Sequence, residues 1–241
     1  MKSTRTLLAC FATGFALAQG QPVQSEPLPG GVVEILRLEK VVAARPGAQL
    51  SLAEEDKVLE ACASRIAFVR AAAAYMLAYT ESPKGTNALA SLLSDSDEAV
   101  AGTARFSAIR RDLASLRDGE LALNGAARMA KAKDVWTRVL LASWLGDRCG
   151  GAIASPFLAE LRAETNSFVR AELLFQIGTH ANKEQLEAAR GALEQSGGGA
   201  STGFNEWEAQ FLDAISANPL KRARTPGFLK RVIESRLAQE Q

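Results

Sequence analysis

The tetrapeptide Phe68-Val69-Arg70-Ala71 returns as Phe168-Val169-Arg170-Ala171, each time opening an apolar helical segment. Such self-similarity constrains a fold more than composition does. It marks supersecondary units too small to bury their own apolar face, which become stable by stacking on copies of themselves. Between these copies, Asp97-Glu98-Ala99-Val100-Ala101 precedes Ala104 and Ile109, and Asp134-Val135-Trp136-Thr137-Arg138 precedes Leu141, Trp144 and Leu145. Positions 70, 101, 138 and 170 align at spacings of 31, 37 and 32. A fifth copy, Trp207-Glu208-Ala209-Gln210-Phe211-Leu212, brings Glu208 into register after 38 residues, Gly197-Gly198-Gly199 supplying the extra length.

Each copy is preceded by another helical segment with its own start signal. Ser51-Leu52-Ala53-Glu54 fits a capping box. Ser82-Pro83 and Ser155-Pro156 place a capping hydroxyl before a proline at the first helical position. Asn182 caps a helix carrying Leu186 and Leu193, while Asp97, Asp134, Asn166 and Asn205 are placed to cap the second helices. No stretch alternates apolar and polar residues for a strand's length. The expected fold is all-α: five helix–turn–helix units over residues 50–218, then a lone helix after Pro226, within residues 219–241, whose Phe228, Leu229, Val232, Ile233 and Leu237 cap the array.

Leu92-Leu93-Ser94-Asp95-Ser96-Asp97-Glu98-Ala99-Val100 resembles the HEAT-repeat signature, in which a turn Asp precedes a Val-Arg pair opening the second helix. Val69-Arg70 and Val169-Arg170 match that pair, and Arg138 matches its Arg. The resemblance implies a right-handed α-solenoid of about five HEAT-like hairpins, with an Asp–Arg ladder tying successive repeats. The chain departs from the pattern at Ala101, in an Arg position, and at Ser64, Ala132 and Glu164, in Asp positions, so the resemblance does not by itself imply a continuous ladder.

Residues 1–18 read as a secretory signal. Lys2 and Arg5 form the basic region, Thr6 to Phe15 the apolar run, and Ala16-Leu17-Ala18 the cleavage site before Gln19. The run is too short for a spanning helix, which needs about 20 apolar residues. Leu7-Leu8-Ala9-Cys10 resembles a lipobox, but lipidation at Cys10 would leave almost no apolar stretch after Arg5. An exported protein, periplasmic or secreted, is expected. Residues 19–49 follow as a Gln-, Pro- and Gly-rich tether and a short helix from Val32 to Ala44.

The mature chain carries 26 Lys and Arg against 27 Asp and Glu, which gives no electrostatic pointer to nucleic acid or anionic membrane. Catalytic constellations are missing: no P-loop, no GxGxxG after a strand, no HExxH and no CxxC. The one histidine, His180, ends a helix, where an imidazolium suits the dipole. Glu54-Glu55-Asp56 and Asp95 to Glu98 read as capping acids rather than a cation site. Tyr75, Phe106, Trp136, Trp144, Phe168 and Phe175 read as inter-helix core rather than a ligand groove. Lys221, Arg222, Arg224, Lys230, Arg231 and Arg236 read as the solvated face of the end cap rather than as a contact for an acidic partner or lipid headgroups. Cys62 and Cys149 are expected to be unpaired, Cys62 as a small core residue and Cys149 as an accessible loop thiol beside Gly150-Gly151.

No catalytic, cofactor-binding or metal-binding residue is therefore assigned, and no cofactor is expected. The expected function is a non-catalytic scaffold binding a protein or peptide partner on the array surface. The rival is an enzyme, because some HEAT-like proteins attach or isomerise bilin chromophores; export and the missing site chemistry speak against it.

Overall fold

A computed structural model describes residues 30–44 and 48–189. The expected signal peptide, the tether to Pro29, the fifth repeat around Glu208 and the capping helix lie outside the described residues. Those described are all-α, with no strand among them. No described helix is long and apolar enough to cross a membrane. The chain divides between Ser115 and Leu116 into two units.

In the first unit, α1 spans Gly30–Ala43, α2 Leu52–Cys62, α3 Ala67–Met76, α4 Pro83–Leu92 and α5 Glu98–Asp112. The start signals act where the sequence puts them. Glu54 accepts the Ser51 N–H at 2.9 Å, half of a capping box. Ser82 accepts the Gly85 N–H at 2.9 Å behind Pro83, and Asp97 accepts those of Ala99 and Val100 at 3.0 and 3.2 Å.

Helix α3 is the centre of this unit. Every residue from Ala71 to Met76 is buried, as expected of a helix that is apolar all round. Its run of four alanines lets α1, α2 and α5 pack against it together. The second helices α3 and α5 pack on each other, and the first helices α2 and α4 do the same. Helix α1 was expected to belong with the tether; instead it docks on α3 through buried Ile35, Glu39 and Val42, three positions on one helical face.

In the second unit, α6 spans Asp118–Lys131, α7 Val135–Cys149, α8 Ala154–Ala163 and α9 Ser167–His180, with a further helix over residues 183–189. The layering recurs: α7 packs on α9, and α6 on α8. Asp134 caps α7 through the Thr137 N–H at 2.7 Å, and Asn166 caps α9. Asn182 and Gln185 each accept the other's N–H, at 2.9 and 3.0 Å.

Ser155 is a correction. It was expected to cap α8, but the helix already runs at Ala154, continuing a 3-10 turn over Gly150–Ile153. Its hydroxyl instead accepts from the Gln185 amide at 2.6 Å. The turn starts at Gly150, whose φ of 53° and ψ of −133° favour glycine. Helix α6 begins at Asp118, with φ 41°, behind Arg117, which provides no side-chain cap.

Candidate functional site

Two constellations in the first unit and one in the second concentrate polar side chains. The first is a tie between turns. Arg70, in the first turn of α3, donates from Nε and Nη2 to the two oxygens of Asp95 at 2.7 and 2.8 Å. Its Nη1 donates to the Ser64 carbonyl at 3.0 Å. Asp95 also accepts the Asp97 N–H at 2.9 Å, so one carboxylate fixes both the neighbouring turn and the residue that caps α5. Hydrogen bonding from Arg70 holds Asp95 below the usual carboxylate range, and the Arg70 pKa rises in turn.

The second unit repeats this geometry with a longer acid. Arg138 of α7 pairs through Nη1 with Glu164, which accepts the Asn166 N–H at 2.7 Å. Arg170 donates to the Glu164 carbonyl at 2.8 Å, as Arg70 does to that of Ser64. Glu164 thus takes the part that the HEAT signature gives to Asp. The tie is present in each unit, and Ala101 supplies no guanidinium for one at its position.

The other constellation in the first unit has a half-buried guanidinium at its centre. Arg110 of α5 lies with Cζ 4.1 Å from the Tyr79 ring centroid and 5.3 Å from that of Tyr75. Tyr75 stacks on Phe106 at 5.7 Å and 8°, and meets Tyr79 edge-on at 6.4 Å. Tyr75 and Phe106 lie at the same offset in the two second helices, five residues after 70 and 101. The Tyr79 hydroxyl donates to Glu39 Oε1 of α1 at 3.2 Å. Glu39 is buried, and its Oε2 makes no hydrogen bond among the described residues.

Burial pushes both phenol pKa values up, and neither is poised as a base near neutrality. Burial works against the charge on Arg110, but Tyr75, Tyr79 and Glu39 together outweigh it and raise the Arg110 pKa. The arrangement sets a cation against two tyrosine rings, with a carboxylate near enough to favour its charge. Sequence reasoning missed it, although both tyrosines of the chain fall here, four residues apart on one face.

Glu55 is a further correction. It was expected to be a capping acid of its own helix, but it is buried and its Oε1 accepts from Thr80 Oγ1 at 3.0 Å and from the Ser82 hydroxyl, the cap of α4. Asp95 likewise serves the tie described above, whereas Glu54 and Asp97 cap as expected. Of the six expected core aromatics, Tyr75 and Phe106 are buried; Trp136, Trp144, Phe168 and Phe175 are half-buried. His180 ends α9, as expected. Cys62 and Cys149 are free, but Cys149 is not an open loop thiol: it is the last residue of α7 and buried, and Cys62 is half-buried at the end of α2. Among the described residues no three His, Cys, Asp or Glu side chains gather as a metal site.

The chain matches no protein-family model, and no curated protein matches it.

Proposed function

We propose that the chain is a HEAT-like repeat protein, a right-handed solenoid of about five hairpins closed by residues 219–241, that acts as an exported, non-catalytic scaffold. What supports this reading is the recurrence, in each unit, of second-helix-on-second-helix packing together with an Arg–acid tie at one repeat register. Arrays of this kind present extended surfaces to peptides and proteins. The reading of the N-terminus as a cleaved signal predicts a mature protein beginning at Gln19.

The test is affinity capture from an envelope extract with immobilised mature protein. One stoichiometric protein partner, retained by direct binding when both are purified, is the expected result. A coloured ligand that co-purifies and is chemically altered by the protein would overturn the scaffold reading in favour of a chromophore lyase or isomerase.

A further inference from the structure

Helix α1 packs on α3 and α2 within the first unit. Ile35, Glu39 and Val42 are buried on one face, whereas Glu34, Arg37 and Val41 are exposed. The Glu34–Lys57 pair that also joins it to α2 is solvent-exposed at 3.4 Å, a geometry that contributes little. This is the pattern of an amphipathic helix laid on a receptor face, with anchors at i, i+4 and i+7. The receptor side is the more elaborate half: Arg110 held against two tyrosine rings, one ring backed by Phe106, with the Tyr79 hydroxyl presented to the incoming carboxylate. The carboxylate that it receives is only partly satisfied, because Glu39 Oε2 makes no hydrogen bond among the described residues.

We infer that the Arg110–Tyr79 face is a binding site for an amphipathic helix bearing a carboxylate between two aliphatic anchors, and that α1 is its intramolecular, displaceable occupant. The partner that fits is a helical peptide segment with an Asp or Glu in the place of Glu39 and aliphatic residues four before and three after it. Binding in trans exchanges one helix for another on the same face, and the tyrosine hydroxyl and guanidinium select for the acid. The site stands whether or not the repeat array serves as a scaffold.

The probe is a synthetic peptide of residues 30–44, used with the full chain. Added in excess, it should displace α1 and raise amide hydrogen exchange over residues 34–43 at least tenfold, while the same peptide carrying Glu39→Ala should not. In the chain variant Glu39→Ala the labelled native peptide should bind at least tenfold more tightly than to the unaltered chain. Tyr79→Phe in that chain should weaken the gain. Equal action of the two peptides on the unaltered chain would overturn the inference, as would no action of either. Loss of helical structure throughout the first unit in Glu39→Ala would also overturn it, since α1 would then be a fixed wall of the core.

Discussion

Arg70 and Asp95 form a fork-to-fork pair that spans two turns, one guanidinium edge meeting both carboxylate oxygens at 2.7 and 2.8 Å. Paired donors in this geometry are stronger and more directional than a single contact. Both side chains are mostly buried, at 17% and 10% exposure, so solvent screens the pair less than it would at the surface. The same guanidinium holds the Ser64 carbonyl. The pair therefore fixes the spacing between successive helical hairpins in the first unit.

Removing either partner should be costly. Asp95→Ala loses the fork and the acceptor for the Asp97 N–H, and is expected to destabilise the chain by about 2–3 kcal/mol in denaturant melts. Arg70→Ala should cost about as much, and the double variant less than the sum of the two. Strict additivity in that cycle would mean that the contact contributes nothing of its own.

The pair also sets an acid dependence. Arg70 lowers the Asp95 pKa in the folded state, so the unfolded state binds the proton more readily and the stabilisation is full above the unfolded value of about 3.9. It is lost as pH falls through the lower, folded pKa. The stability gap between the unaltered chain and Asp95→Asn should be constant from about pH 6 to 7 and shrink below about pH 4. A gap that widens on acidification would refute the assignment.

Gly146 shows why α7 and α9 lie so close. A Cβ built there would run into the side chain of Gln176, with Cγ 2.7 Å away and the amide nearer still. Gln176 cannot swing out freely, because it is buried and donates to Glu172 at 2.9 Å. Gly146→Ala should destabilise by about 1–3 kcal/mol despite its better helix propensity. Adding Gln176→Ala should recover part of that loss. Stabilisation by Gly146→Ala alone would show that the helices are free to part.

Local signals were readable from the sequence because they act within three or four residues. Asp97, Asp134, Asn166 and Asn182 cap the helices expected of them, since a short oxygen-bearing side chain before an apolar period has few other good bonds to make. Ser155 carried the same signal and lost it. Gly150 lets a 3-10 turn run into α8, so the helix is under way before the serine. Glu55 and Glu39 were not readable at all, because their partners are set by tertiary packing. Thr80 and Ser82 lie 25 and 27 residues from Glu55, and Tyr79 lies 40 from Glu39. The Arg–acid tie falls between these cases: its spacing was visible, but Glu164 in place of Asp concealed the second copy until the fold brought Arg138 to it.

The two thiols give the last prediction, and it reverses the expectation of an accessible Cys149. Burial raises the Cys62 thiol to about 12 and the Cys149 thiol to about 11, against an ordinary value of about 8.5. Only the thiolate attacks a disulfide reagent. At pH 8 about one Cys149 in a thousand and one Cys62 in ten thousand would be ionised, compared with about a quarter of free cysteines. Cys62 and Cys149 should therefore each react with an aromatic disulfide at least about a hundredfold more slowly in the folded protein than in denaturant. The unfolded chain also releases these protons first, so the thiols should lower stability as pH rises above about 8.5. Rapid, stoichiometric labelling of Cys149 in the folded protein would show that the end of α7 is open to solvent, contrary to its burial in the structure.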